Sequence, residues 1–218
     1  LVSLAQRSVA AIEYTVEALD ESVRATVQSE LVANEAVPAS SHDPRVASVL
    51  DKPLKAVQHE HSECGAILLH RTNSSGLLMA AAMDHDVEVP GRVEVTTGAG
   101  EDWANTTVIC GLRPGQRLRI VKYLAYGWSS LRSRPALRDQ AAAALSSARY
   151  TGWEGLLKSQ REYLDEFWDC ADVEVEGDPE SQQAVRFGLF HVLQASARAE
   201  RRAIPGKGLT GTGYDGHA

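Results

Sequence analysis

The hydrophobic period of this chain changes once, near Ser130, and that change limits the folds open to it more than any other feature. Before Ser130 the apolar positions recur every two residues, as in strands that bury one face. After it they recur every 3.6, as in amphipathic helices. Ala11 to Leu19 sets Ile12, Tyr14, Val16 and Ala18 against Glu13, Thr15 and Glu17, and Arg24 to Leu31 turns Ala25, Val27 and Leu31 inward. Further strands are expected at Ala66 to His70, Leu77 to Met83, Arg92 to Thr97, Asn105 to Gly111 and Arg117 to Ala125. Arg113-Pro114-Gly115-Gln116 is a turn, because proline presets φ and glycine supplies a positive one. Strands joined by short turns, with no helical crossover, predict an antiparallel β-sandwich.

One stretch breaks the alternation. Ala36 to Glu63 is rich in Pro, Ser, Asp and His and reads as a solvated loop. Its His42, His59 and His61, with Asp43, Glu60 and Glu63, lack a third ligand at a usual metal-site spacing, so no metal is expected. His85, between Asp84 and Asp86, reads as a strand end carrying exposed charge.

Past Ser130 an alanine-rich helix is expected from Leu137 to Ala148, after Pro135. Thr151-Gly152-Trp153-Glu154 has the form of a capping box opening a second helix. Leu156, Leu157, Gln160, Tyr163, Leu164, Phe167 and Trp168 then fall on one face as a packing stripe, while Asp165, Glu166 and Asp169 lie on the solvated side. Asp172 to Glu176 alternates like a short strand and ends at Gly177. Asp178 and Pro179 start a last helix whose buried face comprises Val185, Leu189, Val192, Leu193 and Ser196. The expected organisation is a sandwich over 1–130, a helical linker over 131–170 and the beginning of a further domain over 171–218, an α+β fold.

Composition excludes several classes of partner. Net charge is −7 with no basic run longer than Arg201-Arg202, which argues against nucleic acid and anionic membranes. No apolar stretch approaches the ~20 residues of a membrane span. Cys64, Cys110 and Cys170 are odd in number and far apart, which favours a reduced, cytoplasmic setting over a disulfide framework. The chain starts at Leu1 without the features of a secretion signal, and both ends read as cuts in a longer protein.

The last helix runs into Ile204 to His217, which carries five glycines in fourteen residues together with Lys207, Tyr214, Asp215 and His217. Glycines at this density let backbone approach a ligand. Gly206-x-Gly208-x-x-Gly211 spells the dinucleotide fingerprint, yet it leaves a helix where that fingerprint must leave a strand. A phosphate-cradling loop fails too, since Gly208 follows Lys207 where Ser or Thr is needed.

Phe190-His191-Val192-Leu193-Gln194, then Ile204 to Gly211, then Gly213-Tyr214-Asp215-Gly216-His217 resembles the start of the catalytic domain of glycoside hydrolase family 65. The resemblance extends to Leu1-Val2-Ser3-Leu4 and Leu124 to Ser130, which are similar to that family's sandwich. It implies a large N-terminal β-sandwich, linker helices and the first helix of an (α/α) barrel. It also implies an inverting phosphorylase or hydrolase of α-linked glucose disaccharides, with inorganic phosphate as co-substrate and no other cofactor. A glutamic acid in the barrel would protonate the glycosidic oxygen while phosphate or water attacks from the opposite face. That acid and the family's Phe-Trp-Asp sugar clamp would follow Ala218, so this chain is expected to be inactive alone. Its own contributions would be substrate contacts from Tyr214, His217 and Lys207, in an assembly that can be homo-oligomeric. The other readings are a non-catalytic carbohydrate-binding or scaffolding domain, for which Trp103 and Trp128 beside turns are the candidate contacts, and a relic of a broken gene.

Overall fold

A computed structural model of the chain describes residues 1–35 and 52–196, the side chains of 195 and 196 excepted. It contains β1 (Val9–Glu17), β2 (Val23–Val32), β3 (Leu54–His61), β4 (Ala66–Thr72), β5 (Leu78–Glu88), β6 (Val93–Ala99), β7 (Trp103–Leu112), β8 (Arg117–Ser129), α1 (Arg134–Ala171) and α2 (Pro179–Ser196). The chain divides into two compact units, residues 1–36 with 51–158, and residues 37–50 with 159–218.

In the first unit all strand pairs are antiparallel. A five-stranded sheet has the order β1-β8-β5-β4-β3 and a three-stranded sheet the order β2-β7-β6. The expected α+β fold, an antiparallel sandwich followed by helices, is therefore what the chain adopts. Strand β8, between β1 and β5, is buried on both faces. Leu118, Ile120 and Leu124 turn toward the three-stranded sheet, meeting Val108, Cys110 and Leu112 in one cluster and Ala104 in another. Val121, Tyr123 and Ala125 turn the other way, into a cluster with Leu137, Ala141, Leu145, Ala148 and Leu156 of α1. The alternation that makes one-faced strands elsewhere becomes a nearly continuous apolar run here. The helix can sit low on the sheet because its neighbours are small: Ala80 and Ala82 line β5, and a Cβ on Gly127 would come within 3.2 Å of Leu137 Cδ1. At the β7–β8 corner Gly115 takes φ 78° and the Gln116 N–H donates to Arg113 O at 2.9 Å, which is the expected turn.

Several expectations need correction, among them the buried face of β1, which is Val9 and Ala11 rather than Ile12 and Tyr14, both about half exposed. The stretch read as a loop from Ala36 to Glu63 contains β3, an edge strand with a register shift between Ala56 and Gln58. An edge strand buries little, so Lys55, Gln58, His59 and His61 stay exposed and the period-2 signal is drowned by polar residues. His85 is not a strand end, since β5 continues to Glu88 and the imidazole is only 2% exposed. Asp172 to Glu176 forms no strand: the side chain of Gln182 pairs with it, Nε2 donating to Val173 O at 2.8 Å and Oε1 accepting from Val175 N–H at 2.6 Å. The capping box does not form. α1 is broken at Gly152, with φ 70° and ψ 170°, and the Thr151 hydroxyl donates to Ser147 O at 2.9 Å while accepting from Gln6 Nε2 at 3.2 Å.

Candidate functional site

The three sequence-predicted contacts, Lys207, Tyr214 and His217, lie outside the described residues, as does His42. The element that precedes them, α2, is described over Pro179–Ser196. Asp178 caps it as expected: Oδ1 accepts from the N–H groups of Glu180 and Ser181 at 3.1 and 3.2 Å, and Pro179 is the first helical residue. The Ser181 hydroxyl, donating to Oδ2 at 2.6 Å, is the main reason the Asp178 carboxyl is held below its ordinary range. One turn further on, Arg186 Nε donates to Asp172 Oδ1 at 2.9 Å and its second nitrogen reaches Oδ2, a two-point pair that lowers the Asp172 pKa. With the Gln182 bonds, this fixes the start of α2 to the segment before it. Toward the other end the ring of His191 meets Phe187 edge to face, centroids 4.3 Å apart, and Phe190 at 6.5 Å. Leu193 is buried and Val185 and Leu189 are half-buried, but Val192, expected on the same face, is 63% exposed. Ser196 lies outside the described side chains.

Within the first unit the structure gathers titratable groups that sequence spacing does not reveal. His70 Nε2 stands 3.0 Å from Asp102 Oδ1, which also accepts from Asn34 Nδ2 at 3.0 Å. The Asn34 amide, and after it His70, hold the Asp102 carboxyl below the usual range against the opposing effect of burial. Asn34 further donates to Leu54 O at 2.8 Å and accepts from Leu54 N–H at 3.0 Å. These partners are 20 to 68 residues apart in sequence, so no local motif signals them.

His85 forms a second cluster. Its Nδ1 lies 2.7 Å from Cys64 O, an atom that can only accept, so Nδ1 carries the proton and Nε2 accepts from the Ser29 hydroxyl at 2.7 Å. Burial pushes the His85 pKa down, in keeping with a neutral ring. Its sequence neighbours point to the opposite face of β5, where Arg149 of α1 donates to Asp84 at 2.6 Å and Asp86 at 2.7 Å. Tyr123 beside them has its phenol pushed up to about 12, by burial first and by Asp86 next. Every group in both clusters has partners, and their work is to tie strands and helix together.

The aromatic side chains behave differently. Trp103, at the start of β7, and Trp128, near the end of β8, are 47% and 50% exposed, with Tyr126 exposed on the same face as Trp128. The indole of Trp103 lies over glycine: a Cβ on Gly100 would fall 2.5 Å from its Nε1, and one on Gly98 would fall 3.5 Å from its six-membered ring. His59 and His61 are exposed on β3.

Comparison with known proteins bears on the whole of this architecture. The profile described as "Glycosyl hydrolase family 65, N-terminal domain" matches residues 1–167, and that of the family's central catalytic domain matches residues 186–218. The chain is 78% identical over all 218 residues to an uncharacterized glycosyl hydrolase of Mycobacterium tuberculosis, covering 28% of it. It is 31% identical over the same 218 residues to an alpha,alpha-trehalose phosphorylase of Thermoanaerobacter brockii, again 28% of that protein. Among solved structures, one described as a candidate kojibiose phosphorylase from the human microbiome superposes on the whole chain and 27% of its own, with a TM-score of 0.86 at 19% identity, a likeness of fold. The chain thus spans little more than a quarter of these relatives, and it belongs to glycosyl hydrolase family 65.

Proposed function

We propose that this chain is a fragment of an inverting phosphorylase or hydrolase that acts on α-linked glucose disaccharides. The observation that carries the reading is the 31% identity to a trehalose phosphorylase along the full 218 residues. The glycine loop from Ile204 to His217 supports it, because it falls within residues 186–218, the stretch matched by the family's central catalytic domain. In this reading α2 delivers that loop to the edge of a sugar site, where Tyr214 offers an aromatic face, His217 a hydrogen bond and Lys207 a charge. The acid that protonates the glycosidic oxygen, and the groups that hold phosphate, come from parts of the relatives that this chain does not span. Phosphate is the co-substrate of the phosphorylase form, no other cofactor is required, and the protein works in the cytoplasm as a homo-oligomer.

The test uses protein expressed from the whole coding sequence. Trehalose, kojibiose, maltose and nigerose are each incubated with and without inorganic phosphate, and products are followed by proton NMR of the anomeric signals. Phosphate-dependent appearance of β-glucose 1-phosphate identifies a phosphorylase, and phosphate-independent release of β-glucose a hydrolase. Tyr214→Ala and His217→Ala should each lower kcat/KM by about tenfold or more, while residues 1–218 alone give no product. Retained configuration, or no cleavage of any α-linked disaccharide, overturns the reading.

A further inference from the structure

We propose that the outer face of the three-stranded sheet is a binding platform for a neutral chain of pyranose sugars, centred on Trp103. The proposal rests on the sugar-active reading above for its choice of ligand, and on the sheet for its site.

Trp103 is not a core residue that failed to be covered. It lies back over its own hairpin, since a side chain at Gly100 would collide with the indole and the six-membered ring covers Gly98 at van der Waals distance. The ring is thus held against the sheet and still presents about half of its surface. A rigid aromatic surface that is half-wet suits a ligand with an apolar face and polar edges, and the C–H face of a pyranose ring is such a surface.

The rest of the face supplies the edge contacts. The register of β2, β7 and β6 sets Glu30, Asn105 and Gly98 in one cross-strand row, and Gln28, Thr107 and Thr96 in the next. All share Trp103's side of the sheet, since side chains alternate and the intervening Ala104, Thr106 and Val108 are buried. Gln28 Nε2 donates to Glu30 Oε1 at 2.8 Å, which orders the amide and the carboxylate beside each other. Planar amides, a carboxylate and two hydroxyls within two rows of the indole offer both donors and acceptors to sugar hydroxyls. Rows lie roughly 7 Å apart along the strands and strands about 4.8 Å apart, so a ligand touching both Trp103 and Thr107 must be longer than one ring.

The same face argues against other partners. The charged side chain in these rows, Glu30, is acidic, which disfavours nucleic acid and anionic lipid, and the exposed apolar surface beside Trp103 is limited to its cross-strand neighbour Val32, too little for a contiguous protein interface.

The experiment is native electrophoresis of the whole protein through gels containing soluble starch, an α-linked glucan, or hydroxyethylcellulose, a β-linked one. Retardation in either gel is expected, and which gel retards names the linkage. Trp103→Ala should raise the apparent Kd at least about tenfold, Trp103→Tyr should recover part of it, and Trp128→Ala should leave it unchanged. If Trp103→Ala does not fold by circular dichroism, the double variant Asn105→Ala with Thr107→Ala, which leaves the ring in place, should weaken binding about threefold or more. Absence of retardation in both gels overturns the platform. So does retardation that survives Trp103→Ala and is lost in Tyr214→Ala, an outcome that places the sugar at the glycine loop and leaves the proposed function standing. Disaccharide cleavage by Trp103→Ala should equal that of the wild type.

Discussion

At the scale of single residues the sandwich depends on groups whose sequence context hides them. His85 lies between two aspartates, and a run of three polar residues looks solvated. Alternation along β5 nonetheless sends the aspartates to Arg149 and the imidazole between the sheets. Because burial lowers its pKa, the folded state binds fewer protons than the unfolded one between the two pKa values. The stability it contributes is therefore complete above the unfolded value, about 6.5, and is lost as pH falls through the folded value. Urea midpoints measured from pH 5 to 8 should fall on the acid side in the wild type. His85→Leu should cost about 1–3 kcal/mol at pH 8, by leaving Ser29 and Cys64 O without their partner, and should flatten the acid-side decline. The proposed sugar contacts lie at the other extreme. Tyr214, His217 and Lys207 were legible only through the company of glycines and a family pattern, since a single polar residue in a loop carries no period.

At the scale of elements, the sequence read well wherever an element buries a face and poorly where it does not. Seven of the eight strands fall where the apolar pattern placed them, although in β1 it is Val9 and Ala11 that are buried while Ile12 and Tyr14 stay half exposed, and β3 was masked by its exposed edge. The Asp172 to Glu176 segment shows the converse: it alternates like a strand, yet its polar groups are satisfied by one glutamine side chain and no ladder is built. Gln182→Ala should therefore raise hydrogen exchange at the Val175 amide by about tenfold, while the Asp178 cap keeps the first turn of α2 protected. Gly152 was expected in a capping box and is instead a hinge point in α1, at a φ and ψ that only glycine tolerates. No atom crowds a Cβ there, so Gly152→Ala isolates the backbone cost, and the thermal midpoint should report a loss of about 1–3 kcal/mol.

At the scale of the molecule, the first unit is three layers deep, with β8 serving both of its cores. Leu137, fully buried over Gly127, should cost about 2–5 kcal/mol when cut to alanine, read as a lower urea midpoint at unchanged m-value. Leu131, 94% exposed six residues earlier, should cost less than about 0.5 kcal/mol under the same change. The change of period near Ser130 announced this layering, but the pairing order of the strands could not be read, because side-chain alternation records which face is buried and not which strand lies beside it. Asn34 carries a last consequence. Its amide grips both backbone groups of Leu54, so the end of β2 and the start of β3 are clasped together. A clasp of this kind couples the two strand ends to each other, so a single amide answers for the exit of one sheet and the entry of the other.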